Sequence, residues 1–299
     1  MRNSKIILLI FISVFFSACR NSSPEYTPTS PDIIRLNQLG YLKNVRKVFL
    51  VPDSLPRSFS VLDENGKSIY QSETEDLGYW KYSDEKLFMG DFSTLNKKGI
   101  YQIEYSDTVY SSRFEIADDV YEDILKASIK SFYFQRCSYE LKDEYAGKFS
   151  RRAGHQDDSC LFHPSTGHNQ GFGSSPGGWY DAGDYNKYII NAAVTLGTML
   201  SFYEIFPESF NHDQLNIPES GNRLSDLLDE CRYELEWMLT MQDTDGGVFH
   251  KLSTLNFEAY IMPHEAGMPR YFIGKSTSAS LGFAATMAMA GRIFNEIDP

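Results

Sequence analysis

From residue 32 to about residue 116, apolar and polar residues alternate over short runs broken by turn signals. Val48-Phe49-Leu50-Val51 is closed by Pro52, and Ser58 to Leu62 runs into the turn Asp63-Glu64-Asn65-Gly66. Leu87 to Phe92, Gly99 to Tyr105 and Val109 to Ile116 follow at similar spacing. Several short strands at such intervals predict a β-sandwich, because a period of two buries one face of each strand. At Ala117 the period lengthens. Asp118 or Asp119 caps a predicted helix in which Ile124, Leu125, Ile129, Phe132 and Tyr133 form one face. Further helices are expected over residues 185–206, Leu224 to Met241 and Ser276 to Ile293. The last is dense in small residues, which let neighbouring helices approach closely. Long Gly-, Pro- and His-rich connections do not suit a compact bundle. They suit a ring of helices whose loops build a cleft at one end.

The first residues follow other rules. Arg2 and Lys5 precede an apolar run, Ile6 to Phe16, that is short for a membrane span. Ser17-Ala18-Cys19 then reads as a lipoprotein cleavage site, with residues 1–19 as signal peptide and Cys19 as the lipidated residue. The alternative is ordinary secretory cleavage near Ala18. Residues 20–31, rich in Ser, Thr and Pro, read as a tether. The expected location is a bacterial cell envelope, with the membrane reached through the lipid.

Net charge changes the picture by exclusion. A formal charge of −12 argues against a nucleic-acid partner and is neutral toward an uncharged polysaccharide. The chain carries 21 Phe, 19 Tyr and 3 Trp. Aromatic faces stack on sugar rings, although core packing accounts for most such residues.

The densest chemistry lies in Gly177 to Tyr188, G-G-W-Y-D-A-G-D-Y-N-K-Y. Asp181 and Asp184 fall three apart on a tight turn that leads into the second helix of this region. A carboxylate at a helix start is favoured as the anion, and an ionised carboxylate facing a cleft can act as a general base on water. The plainer reading makes Asp184 an N-cap and Asp181 a turn residue.

Four blocks in order carry a family resemblance: I-R-L-N-Q-L-G-Y at Ile34 to Tyr41, the aspartate block, I-P-E-S-G-N-R-L-S-D-L-L-D-E at Ile217 to Glu230, and M-P-H-E-A-G-M-P-R-Y at Met262 to Tyr271. From about Asp32 onward the chain resembles the glycoside hydrolase family 9 cellulases, in the branch with an N-terminal immunoglobulin-like domain. The resemblance implies a multidomain protein: an all-β immunoglobulin-like sandwich over residues 32–116, then an all-α (α/α)6 barrel beginning at residue 117. Only about four of the barrel's twelve helices fall within residues 117–299, so a truncated catalytic domain is expected. Apolar faces such as Leu281, Phe283 and Met287 would then lack barrel partners.

By the same resemblance the reaction is an inverting endo-β-1,4-glucanase hydrolysis that needs no cofactor. Asp184 is the general base and Asp181 helps hold the water. The general-acid glutamate lies beyond this chain; Glu219, Glu230 and Glu265 fall in the wrong blocks. Trp179, Tyr180 and Tyr185 are the expected sugar contacts, and the partner is cellulose, mixed-linkage glucan or xyloglucan. A catalytically silent glycan-binding or structural fragment is the alternative. A uronate lyase ranks lower, because Lys187 is the only basic residue immediately beside the aspartates.

Other clusters leave more than one reading. Cys137, His155, Cys160, His163 and His168 gather where some family members carry structural zinc, which makes Cys137, His155 and Cys160 zinc candidates. A Cys137–Cys160 disulfide competes with zinc, as does no bond at all. Cys231 reads as a buried apolar residue. Asp226, Asp229 and Glu230, with Arg223 and Arg232 nearby, read as surface ion pairing. Asp243, Asp245, Gly246 and Gly247 form an acidic turn where calcium is conceivable, without the ligand spacing of a recognised calcium loop.

Overall fold

The computed structural model describes residues 33–53, 57–105, 109–210 and 214–297. Residues 1–32 fall outside that range, so the signal-peptide, Cys19 and tether readings lie outside the described residues. The chain divides into two compact units between Tyr121 and Glu122.

The first unit is built from β1 (Tyr41–Leu42), β2 (Val48–Pro52), β3 (Ser58–Leu62), β4 (Ser68–Glu73), β5 (Glu75–Trp80), β6 (Glu85–Asp91), β7 (Gly99–Tyr105), β8 (Val109–Tyr110) and β9 (Phe114–Ala117). One sheet runs β2-β6-β5. The other runs β1-β9-β7-β3-β4, with β8 also on β7. Alternation puts Phe49, Val51 and Phe88 of the small sheet into one core with Phe59, Val61, Ile103 and Ile116 of the larger. Phe49 and Phe59 meet edge to face at 4.9 Å. Gly90 is required beneath that contact, because a Cβ there would lie 2.1 Å from the Phe49 ring. Strands β4 and β5 were not anticipated. Both are sheet edges whose apolar residues, such as Ile69, Leu77 and Trp80, are exposed, so neither shows the buried face that marks a core strand.

The second unit has four long helices and one short one: α1 (Glu122–Gln135), α2 (Asp143–Ala146), α3 (Ile189–Ile205), α4 (Asp226–Thr240) and α5 (Thr277–Ile297). It is not all helical. β10 (Cys160–Phe162), β11 (Phe172–Gly173), β12 (Lys187–Tyr188), β13 (Phe249–Ser253) and β14 (Tyr271–Lys275) form a mixed sheet in the order β11-β10-β14-β13-β12. The segments expected as irregular loops therefore satisfy part of their backbone hydrogen bonding with one another.

Helix α4 starts where Ser225 accepts a bond from Leu228 N, and it buries Leu227, Leu228, Cys231, Leu235 and Met238. Helices α3 and α5 approach closely, with the Cβ position of Gly282 3.1 Å from Ala193. On α5, Leu281 is 66% exposed whereas Phe283, at 8%, has core partners within the unit. Among the described residues no helix is long and apolar enough to cross a membrane.

The surface reading of Asp226, Asp229 and Glu230 is overturned: all three are buried. Asp226 accepts from Gln214 N, Leu215 N and Ser220 Oγ at 2.6–2.9 Å, and Asp229 accepts from Asn222 Nδ2. Buried carboxylates persist only with such partners, and here the partners come from the preceding loop.

Candidate active site

The aspartate loop begins with two left-handed glycines. Gly177 and Gly178 have φ of 77° and 74°, and a Cβ on Gly178 would lie 2.5 Å from Trp237 Cγ. The chain then passes the end of α1, where Cys137 N donates to Gly178 O at 2.7 Å and Tyr180 N to Gln135 O at 2.8 Å. The turn closes with Tyr185 N on Ala182 O at 3.1 Å and Asp181 N on Asn186 O at 2.9 Å. Tyr185 sits at φ 57°, an uncommon value for a residue with a side chain. Its hydroxyl donates to Ile261 O at 2.5 Å, and its own carbonyl accepts from Arg270 Nη1. Contacts from outside the loop thus hold a local conformation that is costly in isolation.

Asp184 does not stand at a helix entrance. The second helix of this region, expected from residue 185, begins at Ile189, and the two-residue strand β12 intervenes. Positive φ at Tyr185 and the pairing of β12 with β13 keep the intervening residues out of the helix. Asp184 is therefore oriented by side chains and not by a helix dipole. Its carboxylate accepts from Tyr188 Oη at 2.8 Å, Asn186 Nδ2 at 3.2 Å and Asn186 N at 3.3 Å. Asp181 is exposed, and Asn191 Nδ2 holds its Oδ1 at 2.6 Å. One residue joins the pair: Asn186 accepts from Asp181 through its carbonyl and donates to Asp184 through both nitrogens. Asp181, Tyr188, Asn191, Phe132 and Gln135 border a concavity of about 250 Å³.

The three aromatic candidates separate. Trp179 and Tyr180 are 6% and 3% exposed and turn their polar ends inward. Trp179 Nε1 donates to Glu230 Oε1 at 2.7 Å, and Tyr180 Oη pairs with His155 Nδ1 at 2.9 Å. They form the floor of the loop and also line the concavity that Asp181 borders. Tyr185 is half-buried and borders a second concavity of about 540 Å³ with Phe149, Arg151 and Met262. Burial, reinforced by the Arg270 charge, pushes the His155 imidazole down to about 4, so it is neutral.

Beneath the floor lies a network the sequence did not reveal. Arg136 is fully buried and binds Glu230 at 2.9 Å and Glu219 at 2.9 Å. Its guanidinium lies 4.5 Å from the Tyr233 ring centroid and 5.1 Å from those of Tyr133 and Tyr139. Glu234 receives Trp179 N at 2.5 Å, yet burial pushes its carboxyl up to about 8. Lys187 is equally enclosed. Its ammonium reaches Ser175 O at 2.7 Å, Gly177 O at 2.8 Å and Asp157 Oδ2 at 2.9 Å. No sequence spacing signals these pairs, because the partners come from distant segments.

Comparison with known proteins decides the family. Residues 121–299 match the sequence profile of glycosyl hydrolase family 9, and residues 29–109 match the cellulase N-terminal ig-like domain. The chain belongs to glycosyl hydrolase family 9. It is similar to a xyloglucan-specific endo-beta-1,4-glucanase, BoGH9A, of Bacteroides ovatus, at 40% identity over 97% of this chain and 49% of the relative. Endoglucanase D of Acetivibrio thermocellus is 36% identical over 89% of this chain and 42% of its own length. The solved Bacteroides ovatus GH9 structure superposes with a TM-score of 0.82 at 40% identity, covering 89% of this chain and 49% of that one. A structure of AaCel9A in complex with cellobiose-like isofagomine gives 0.81 at 30% identity, over 89% and 49% of the two chains. The chain spans about half the length of the curated relatives it matches.

In this family 9 chain the thiol cluster takes a form that neither disulfide nor zinc describes. Cys137, Cys160 and Cys231 are buried free thiols. Cys137 Sγ lies 3.5 Å from Asp157 Oδ2, and Cys160 Sγ lies 3.8 Å from Asp157 Oδ1, so one carboxylate takes both sulfurs and no disulfide joins them. Burial pushes both thiols up. Lys187 at 2.9 Å and Arg270 at 3.3 Å already balance Asp157; His155 Nδ1 is taken by Tyr180, and its Nε2 is buried without a hydrogen-bond partner among the described residues. Cys137, His155 and Cys160 are not arranged as a metal-holding group. In the acidic turn, Lys275 Nζ bridges Asp243 at 2.5 Å and Asp245 at 2.7 Å. His168 donates to Asp243, and His163 caps a turn at Ser165. Among the described residues no group of three His, Cys, Asp or Glu is arranged to hold a metal ion.

Proposed function

We propose that this chain supplies the base side of an inverting endo-β-1,4-glucanase, with Asp184 as general base and Asp181 holding the same water. The observation that carries the reading is the division of labour between the two carboxylates. Three donors fix Asp184, whereas Asp181 is exposed and tethered at one oxygen. A fixed, half-buried carboxylate beside an exposed one suits taking a proton from water that the second carboxylate orients.

Glu219 and Glu230 are bound to Arg136, and we assign neither as the acid. Burial of Lys187 argues against a lyase, which needs cations at the site. The six-hairpin helical barrel of the family is the architecture we propose for the whole catalytic domain. The reaction uses carboxyl groups and water and calls for no cofactor. Xyloglucan, cellulose and mixed-linkage glucan are the proposed substrates, from the names of the relatives and the chemistry of the site. Export and a lipid anchor at Cys19 complete the reading.

The test is reducing-sugar release from soluble β-glucans by the full-length enzyme and its Asp184→Ala and Asp181→Ala forms. Asp184→Ala is expected to lose about 10²–10⁴ in rate, and Asp181→Ala less. Wild-type turnover by a folded Asp184→Ala protein would show that the base lies elsewhere.

A further inference from the structure

The contacts to Asp184 are unequal. Tyr188 Oη is the closest donor at 2.8 Å, and the two Asn186 contacts are longer at 3.2 and 3.3 Å. The Asn186 side chain is also committed elsewhere, since its Oδ1 accepts from Thr254 N at 3.0 Å. Tyr188 itself is well held. It pairs with Lys251 in the β12–β13 ladder, and Lys251 Nζ lies 5.1 Å from its ring centroid. We propose that Tyr188 is a positioning residue for this reaction, its hydroxyl fixing the Asp184 carboxylate in the orientation that accepts a proton from water. This rests on the reading of Asp184 as the base.

The proton balance follows from the donor. Water gives one proton to Asp184 as its oxygen bonds to the anomeric carbon, and the glycosidic C–O bond breaks. The leaving oxygen takes its proton from the carboxylic acid on the other face. Tyr188 keeps its proton throughout. Burial, and then the bond to Asp184, push its phenol up to about 12, so it is a donor across the working range. The charged groups facing the pair are Asp181 on the same loop and Lys251 from β13. Asn191 of α3 is neutral and bonded to Asp181.

Tyr188→Phe keeps the ring and its contact with Lys251 while deleting the donor. In the full-length enzyme we expect kcat to fall about 10- to 100-fold with KM within about twofold. The melting temperature should change little, because the ring and its contact with Lys251 remain. A second measurement uses this 299-residue chain with ring-labelled tyrosine. Asp184→Asn should lower the pH at which the Tyr188 phenol ionises, by removing one cause of its upward shift. Wild-type kcat in Tyr188→Phe, or an unmoved phenol titration in Asp184→Asn, would overturn the proposal. If Asp184→Ala stays active, the base assignment has failed. If Asp184→Ala is dead and Tyr188→Phe is normal, only the positioning role has failed.

Discussion

Lys187 Nζ lies 2.9 Å from Asp157 Oδ2, and both side chains are closed to solvent. The lysine stands three residues after Asp184, so the loop that presents the carboxylates is pinned from below by a buried ion pair. Arg270 reaches the other Asp157 oxygen at 3.3 Å and also the carbonyl of Tyr185. The residue that looked in sequence like a cation at the site is part of its foundation.

Replacing Lys187 by Met should therefore act on stability before chemistry. It strips one of the two cations from a buried carboxylate and frees the carbonyls of Ser175 and Gly177. Breaking a buried pair by removing one partner costs about 3–5 kcal/mol. Urea unfolding, followed through the tryptophans of the helical unit, should give a loss of that size. A change under about 1 kcal/mol would mean the pair contributes little.

The two glycines ahead of Trp179 should differ sharply. Gly178→Ala combines φ 74° with a Cβ 2.5 Å from Trp237, so it should prevent the native loop and yield a protease-sensitive chain. Gly177→Ala has similar φ, 77°, but its Cβ would meet only Tyr233 at 3.9 Å. Backbone strain alone costs about 1–2 kcal/mol, and the protein should stay folded. Comparing limited proteolysis of the two variants checks the difference.

Glu234 makes a pH prediction. Its carboxyl is raised from 4.5 to about 8 in the folded chain by burial. Between those values the folded state holds a proton that the unfolded state releases, so this group's contribution is complete at low pH. It falls as pH rises through the window and has been lost above the folded value. Glu234→Gln keeps an acceptor for Trp179 N and removes the titration. The denaturation midpoint of the variant should decline less than wild type from about pH 5 to about pH 9. Parallel declines would place the titration in another group.

Thiol counting tests the cysteine arrangement. Residues 20–299, unfolded without reductant, should yield three reactive thiols, from Cys137, Cys160 and Cys231. A yield of one would restore the disulfide.

What the sequence disclosed depended on how local the signal was. The core strands of the first unit and the long helices were legible, since Phe49, Val51, Leu228 and Cys231 follow the period of their own element. Strands β10 to β12, two or three residues long, carry no period at all. Glu230 looked like a surface charge because its partner, Arg136, lies 94 positions away. The aspartates stood out because a contiguous motif surrounds them. The orienting Tyr188 was within that motif, but its role shows only when β12 replaces the first turn of the expected helix.

The loop's supports come late in the chain. Asn186 waits for Thr254, 68 residues on, Tyr185 for Ile261, 76 on, and its carbonyl for Arg270, 85 on. A ribosome emits the two aspartates and their nearby donors well before the later segments that hold the loop around them exist. During synthesis the carboxylate pair is therefore a property of no finished segment. It comes into being only once the strand after Arg270 has emerged and paired back across the sheet, which makes assembly of the site a late, long-range event in folding.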